Sequence, residues 1–368
     1  MSEFAVAFSE NLDEKVTIRE IALRIKSFLP RHIDFIIAFF TSHYHLSYLH
    51  SLITDMLRPL HVICIETPLI IYEGRVFSQG VVALAGLFSP KKYYLEVSKE
   101  STQEEVEISL RKLTRNIPFF SFILSFLSVE EPQSFLIGVK LGLGRNERFL
   151  TVVSKDEGRI CQILGKKIYG KVAFIGWDKE VEVRHKKISG FIPLGRFFTF
   201  TKIDKKRRII LEIDNKPAFS VYRKYLGERI DIFRERKFFY LYPLGVKRNG
   251  LYRLIAITDV LDDESLEFRG EVEEGERGNI MILRREVFRK EIERISEEFS
   301  SYKVMLLVDS LLREKILKEK LKEEIIILKK KLPSVPLVGF YSDYCIDFDT
   351  HLKRFIVEEG NLHLLSFK

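Results

Sequence analysis

The stretch Phe35–Ile65, FIIAFFTSHYHLSYLHSLITDMLRPLHVICI, decides the fold class. Phe35 to Phe40 is apolar without interruption, Leu46 to Leu57 spaces its apolar residues as an amphipathic helix does, and His61 to Ile65 is apolar again. A short continuous apolar run reads as a strand covered on both faces. A strand–helix–strand unit of about 30 residues is a crossover in a sheet that is at least partly parallel. Gly80 to Phe88 (GVVALAGLF) adds a further strand after a short excursion.

The same pattern recurs twice. The second copy runs through a strand at Phe120 to Leu127, a helix at Glu131 to Leu141 with Pro132 in its first turn, and strands at Arg148 to Val153 and Lys171 to Trp177. The third uses Lys303 to Val308, a long helix from about Leu311 to Leu332, then Val335 to Tyr341 and Leu362 to Phe367. Upstream, Phe4 to Phe8 reads as a strand. A helix follows it, capped by Asn11 or Asp13, with Ile18, Ile21, Ala22, Ile25 and Leu29 on one face. Ser101-Thr-Gln-Glu104 is a capping box, and Lys216 to Leu226 reads as a short helix ended by Gly227. Between the second and third copies lie antiparallel hairpins: Phe197 to Ile203 with Arg207 to Ile213, and Tyr252 to Thr258 with Ser265 to Gly270. The expected class is α/β, with mixed β-sheets covered by helices and built from repeated β-α-β-β units in two related halves.

Composition narrows the function classes. The 368 residues include 46% apolar side chains and 30 Phe, which excludes disorder. Three cysteines (Cys64, Cys161, Cys345) without CxxC spacing predict free thiols in a reducing compartment. The net charge of +8 is spread along the chain rather than gathered in a tail, with a mild excess between residues 101 and 200. No nucleic-acid partner is expected from it. Interleaved charges with little Gln and Asn point to a heat-adapted source. MSEFAVAFSE lacks the parts of a signal peptide. Ile117–Val129, the most lipid-like stretch, is 13 residues long and holds Pro118 and three serines, so no membrane partner and a cytoplasmic location are expected.

Local motifs nominate little chemistry. His43, His45 and His50 stand two, five and seven apart, where ligands on one helix face need three or four, so they read as helix-surface and loop histidines and no metal is expected. Gly138, Gly142 and Gly144 follow a helix instead of joining a strand to one. That argues against a phosphate loop and assigns Gly142 to a helix end with positive φ. The basic turn Lys205 to Arg208 reads as a solvated hairpin tip. No nucleophile elbow, HExxH, EF-hand or kinase motif is present, and no cofactor is expected.

Longer segments are more specific. Ile209–Gly227 (IILEIDNKPAFSVYRKYLG) resembles the signature joining the two halves of FIST proteins, named for F-box and intracellular signal transduction. Tyr242-Pro-Leu-Gly-Val246, the strand around Arg253 and Glu271-Val-Glu-Glu-Gly-Glu276 follow in that family's order, and Val335-Pro-Leu-Val-Gly-Phe-Tyr-Ser-Asp343 is similar to its closing motif. The resemblance implies an N-terminal strand and helix over 1–30, a FIST-N-like domain over 31–215 and a FIST-C-like domain over 216–368. It further implies a sensory module binding a small molecule such as an amino acid. Because the module occupies the whole chain, its signal is expected to pass to a separate signalling protein partner. Two departures stand out. Tyr344-Cys345-Ile346-Asp347 replaces the family's Gly-Glu-Ile-Gly, and Thr151-Val-Val-Ser-Lys-Asp-Glu157 stands where a glycine-rich loop is expected. Arg313, three residues after Ser310, matches an arginine the family carries.

Strand C-terminal ends in open α/β sheets gather ligands. In the third copy those ends carry Asp309, Ser310 and Arg313 on one side and Tyr341, Ser342 and Asp343 on the other. A guanidinium fork there can clamp a zwitterion, or instead tie the two loops together as a structural pair. The expected ligand-binding residues are Arg313, Asp343, Ser310, Arg253 and Cys345. The Cys345 thiol has acidic sequence neighbours and reads as a plain buried group more than a reactive one. Three function classes stay open: a ligand-binding sensor, an interaction scaffold with a degenerate site, and an enzyme whose nucleophile and base the sequence does not display.

Overall fold

Phe35–Phe40 is buried along its whole length and lies parallel to His61–Glu66, with helix Leu46–Leu57 as the crossover. Its alternate residues face different cores. Phe35, Ile37 and Phe39 point to one apolar cluster, while Ile36, Ala38 and Phe40 point to another under the helices. A side-chain period of two with both faces covered is why the run is apolar throughout. These features belong to a computed structural model that describes residues 2–30, 32–88, 92–116, 120–128, 132–143, 148–154, 160–163, 167–227, 230–248, 250–349 and 354–368.

The repeat is larger than strand–helix–strand–strand and occurs three times. Each unit runs strand, helix, strand, helix, strand, hairpin, strand. The first occupies Ser2–Phe88, the second Tyr93–Asp178 and the third Val183–Phe367. In each, the two middle strands are parallel, the last strand is antiparallel to the first of that pair, and the opening strand is antiparallel to the last. Every unit lends its hairpin to another unit's sheet. The first unit's hairpin (Ile70–Tyr72 and Arg75–Phe77) extends the third sheet, the second's (Ile160–Ile163 and Lys167–Gly170) the first, and the third's (Tyr344–Asp349 and Arg354–Glu358) the second. The exchange is cyclic, so the three units interlock around one shared core.

That core takes alternate strand residues from all three sheets: Phe35, Ile37 and Phe39, then Phe122, Leu124 and Phe126, then Val304, Leu306 and Val308. The outer sheet faces pack under helices in three separate clusters. The third unit carries an insertion, Phe191–Leu283, between its opening strand Val183–Ile188 and its first helix Arg285–Phe299. The insertion is antiparallel, and its long strand Phe191–Asp204 pairs with Arg277–Leu283 at one end and Ile209–Ile213 at the other. The strand order therefore closes on itself as a six-stranded barrel, which removes exposed edges. Phe200, Tyr222, Leu244, Ile255 and Ile280 fill it.

Several local expectations change. The helix expected from Lys216 begins at Ser220, because Lys216–Pro217 pairs with the barrel; Gly227 ends it with φ 62°. The long helix from Leu311 breaks at Lys318, whose φ is 49°, into Leu311–Leu317 and Glu319–Lys331. Gly142 ends its helix with no positive φ. A Cβ there would lie 2.7 Å from Leu110 Cβ, so it is small to let two helices touch. His50 is fully buried rather than on the helix surface. Asp13 caps the first helix, accepting from the Val16 amide at 3.0 Å. The helix expected from Ser101 begins at Gln103, with Thr102 O accepting from the Val106 amide. Gly144, Pro118, Val129, Glu131 and Lys155–Glu157 lie outside the described residues, as does the Cys161 side chain; the Cys64 and Cys345 side chains are buried. Among the described residues no helix is long and apolar enough to cross a membrane, and no cluster of three metal-ligating side chains occurs.

Candidate functional site

Arg313 sits inside the protein, fully buried. Its Nε donates to Asp309 at 2.9 Å, Nη2 to Glu324 at 2.5 Å and Nη1 to the Ser189 carbonyl at 3.0 Å, while the guanidinium lies 4.2 Å from the centre of the Phe288 ring. The break at Lys318 makes this possible. In one straight helix, residues 313 and 324 would lie about 16 Å apart along the axis. Burial pushes the Asp309 and Glu324 carboxyls above the usual range, and the Arg313 charge pulls both part of the way back. The carboxylates that meet the fork are thus Asp309 and Glu324, and Asp343 is not among the three groups it contacts. Glu324 was visible in the sequence only as a lone acid beside Leu321, Ile325 and Leu328 on an apolar helix face.

Ser310 is also committed internally. Its Oγ accepts from the Leu312 amide at 3.2 Å as a helix cap and from the Gly360 amide at 3.0 Å. Cys345 is 3% exposed, its Sγ is 3.7 Å from Ser342 Oγ, and burial raises its pKa. Asp343 is half-buried between two strands, its amide donating to the Val153 carbonyl at 3.1 Å. Of the five expected residues, Arg253 lines an open cavity.

That cavity, about 460 Å³, lies where the inserted barrel joins the third unit. The Ser189-Gly190 link into the barrel forms its floor, and the Arg313 guanidinium supports that floor from below through the Ser189 carbonyl. One wall is helix Arg285–Phe299, with Glu291 and Arg294; another is the barrel, with Tyr252 and Arg253; the third carries Lys187, Asp347, Glu358 and Asn361. Lys187 Nζ donates to Glu358 at 2.5 Å and Asp347 at 3.3 Å, and Asn361 donates to Glu358 at 3.2 Å. Burial and the neighbouring Glu358 push Asp347 up to about 6, against the pull of Lys187. The two carboxylates in turn raise the pKa of Lys187 against its own burial. Burial also raises Glu291, whose carboxyl faces the Ser189 and Gly190 amides. His185 stacks on His363, Nε2 to Nδ1 at 3.0 Å, and burial drives it down to about 3, so it stays neutral. His185 and Lys187 had a signal in the sequence: in VRHKKI they fall on the same inward face as Val183, at period two.

Residues 34–216 match the family model described as the FIST N domain, and residues 218–343 match the FIST C domain. No curated protein matches the chain significantly. Among solved structures, a cyanuric acid hydrolase, titled as evolutionary innovation by structural concatenation, aligns over 51% of this chain and 72% of its own, at 10% identity and a TM-score of 0.29. T. maritima PurL complexed with ATP covers 99% of this chain and 72% of its own, at 9% identity and a TM-score of 0.21. At these scores no property of either protein carries over.

Proposed function

The chain belongs to the FIST family, whose domains are sensor modules of signal transduction, and from that premise we propose that it senses a small polar molecule carrying both charge signs, an amino acid or related metabolite, in the cavity beside Arg253. One observation supports this most directly. A cavity of about 460 Å³ is lined by cations (Lys187, Arg253, Arg294) and carboxylates (Glu291, Asp347, Glu358) within one wall-to-wall space. Sites for small molecules usually measure about 300–1,000 Å³ and hold a few convergent polar groups. Arg313 and Ser310 contribute by holding the floor and the helix cap. The output passes to a signalling protein partner, and the proposed location is cytoplasmic.

Calorimetry or thermal shift with the twenty amino acids and their simple metabolites tests the reading. Ligand at one hundred times its Kd should stabilise the fold by about 2.7 kcal/mol. A panel in which no compound binds at millimolar concentration would sink it. The scaffold reading draws on the Arg313 cluster, which the protein's own side chains fill completely. It would gain if a partner bound equally well with every panel compound absent.

A further inference from the structure

The three units provide an internal comparison. In the first unit, Phe8 of the opening strand stands opposite Val82. In the third, Lys187 stands opposite His363 at the same register. Ile70 of the first hairpin pairs with Phe340 and Phe77, and Cys345 of the third hairpin pairs with Val152 and Glu358. Phe340 and Val152 occupy the same place in their parallel pairs, two residues before Ser342 and Ser154. Ile70, Tyr72 and Phe77 therefore correspond to Cys345, Asp347 and Glu358. In the first unit the corner closes with aromatic rings: Phe8 lies 4.2 Å from Phe77 and 5.3 Å from Tyr72. In the third, the same corner holds Lys187, Asp347 and Glu358.

The first unit thus closes this corner with apolar packing, and charges there carry a desolvation cost that rings avoid. One ammonium between two carboxylates also leaves one negative charge over. Glu358 is the deeper and closer partner of Lys187, its side chain 5% exposed at 2.5 Å; Asp347 is 20% exposed at 3.3 Å and faces the cavity. We infer that this corner is the cation subsite of the cavity: Asp347 receives the ligand's ammonium group, while Arg253 and Arg294, which line the same cavity, receive its carboxylate. The inference rests on the sensor reading above and adds the ligand's orientation. It also places the site in the third unit, since the first unit's equivalent corner is filled.

The test uses the full chain and three probe sets: amino acids, the primary amines lacking their carboxylate, and the carboxylic acids lacking their amine. Asp347→Asn should weaken amino acids and amines at least tenfold and leave the acids unchanged, while Arg253→Met should weaken amino acids and the acids and leave the amines unchanged. The triple variant Lys187→Phe, Asp347→Tyr, Glu358→Phe should fold with a Tm at or above the parent and bind neither the amino acids nor the amines. Unchanged amino-acid affinity in Asp347→Asn overturns the orientation and leaves the sensor reading intact. A folded triple variant that still binds the amines or amino acids overturns the location, and if it fails to fold, the two single variants decide. A parent protein that binds none of the probes overturns both readings together.

Discussion

Replacing Arg313 with Met keeps most of the side-chain volume and removes one charge that three groups depend on. The fork donates to Asp309, Glu324 and the Ser189 carbonyl, and both carboxylates are fully buried. Charge-assisted hydrogen bonds contribute roughly 1.5–3 kcal/mol each, and stranding a buried charge by deleting its partner costs about 3–5 kcal/mol. The upper part of that range, about 4–5 kcal/mol near pH 8, is expected because two carboxylates lose their cation. The pH dependence has a definite sign. Asp309 and Glu324 already lie above the usual carboxylate range, and losing Arg313 removes what lowers them. Groups with raised folded pKa values bind more protons in the native state, so their contribution is present at low pH and fades as pH rises. The penalty of Arg313→Met should therefore be smaller at pH 5 than at pH 8. Urea denaturation followed by fluorescence of Trp177, the single tryptophan and fully buried, reads both values. A loss under about 1 kcal/mol at pH 8, or an equal loss at both pH values, would refute the account.

Asp347→Asn should flatten part of the stability–pH profile. The parent's contribution from a carboxyl raised from 3.8 to about 6 is present below pH 3.8 and lost by about pH 6, so the variant's Tm relative to the parent should climb over that window. Gly142→Ala should cost about 1–3 kcal/mol in chemical denaturation, because its Cβ would meet Leu110 Cβ at 2.7 Å between two packed helices. Tyr93→Phe, which removes a hydroxyl held by the Asp34 carbonyl at 2.8 Å and by His61 Nδ1 at 2.6 Å, should cost about 1–3 kcal/mol by the same assay. Maleimide labelling with peptide mapping should leave Cys345 unmodified in the native protein and modify it in urea, since burial disfavours its thiolate.

Sequence alone determined the three parallel strand pairs and their helical crossovers, because burial on both faces leaves an uninterrupted apolar run such as Phe35–Phe40 that few other structures require. It also determined the family, through extended segments such as Ile209–Gly227. It placed Arg313 and Ser310 correctly at a strand's C-terminal end, since that position follows from where the apolar run stops. Tertiary structure decided what those residues touch. Glu324 reaches Arg313 only because the chain turns back at Lys318, and a single positive φ leaves no periodic trace. The cavity was equally out of reach: Lys187, Arg253, Glu291, Asp347 and Glu358 are scattered over about half the chain and meet only where the barrel joins the third unit. Hydrophobic periodicity records which face of an element is covered, not which element covers it. The cyclic exchange of hairpins, and with it the charged corner that matches an aromatic one, exists only once strands from distant units pair.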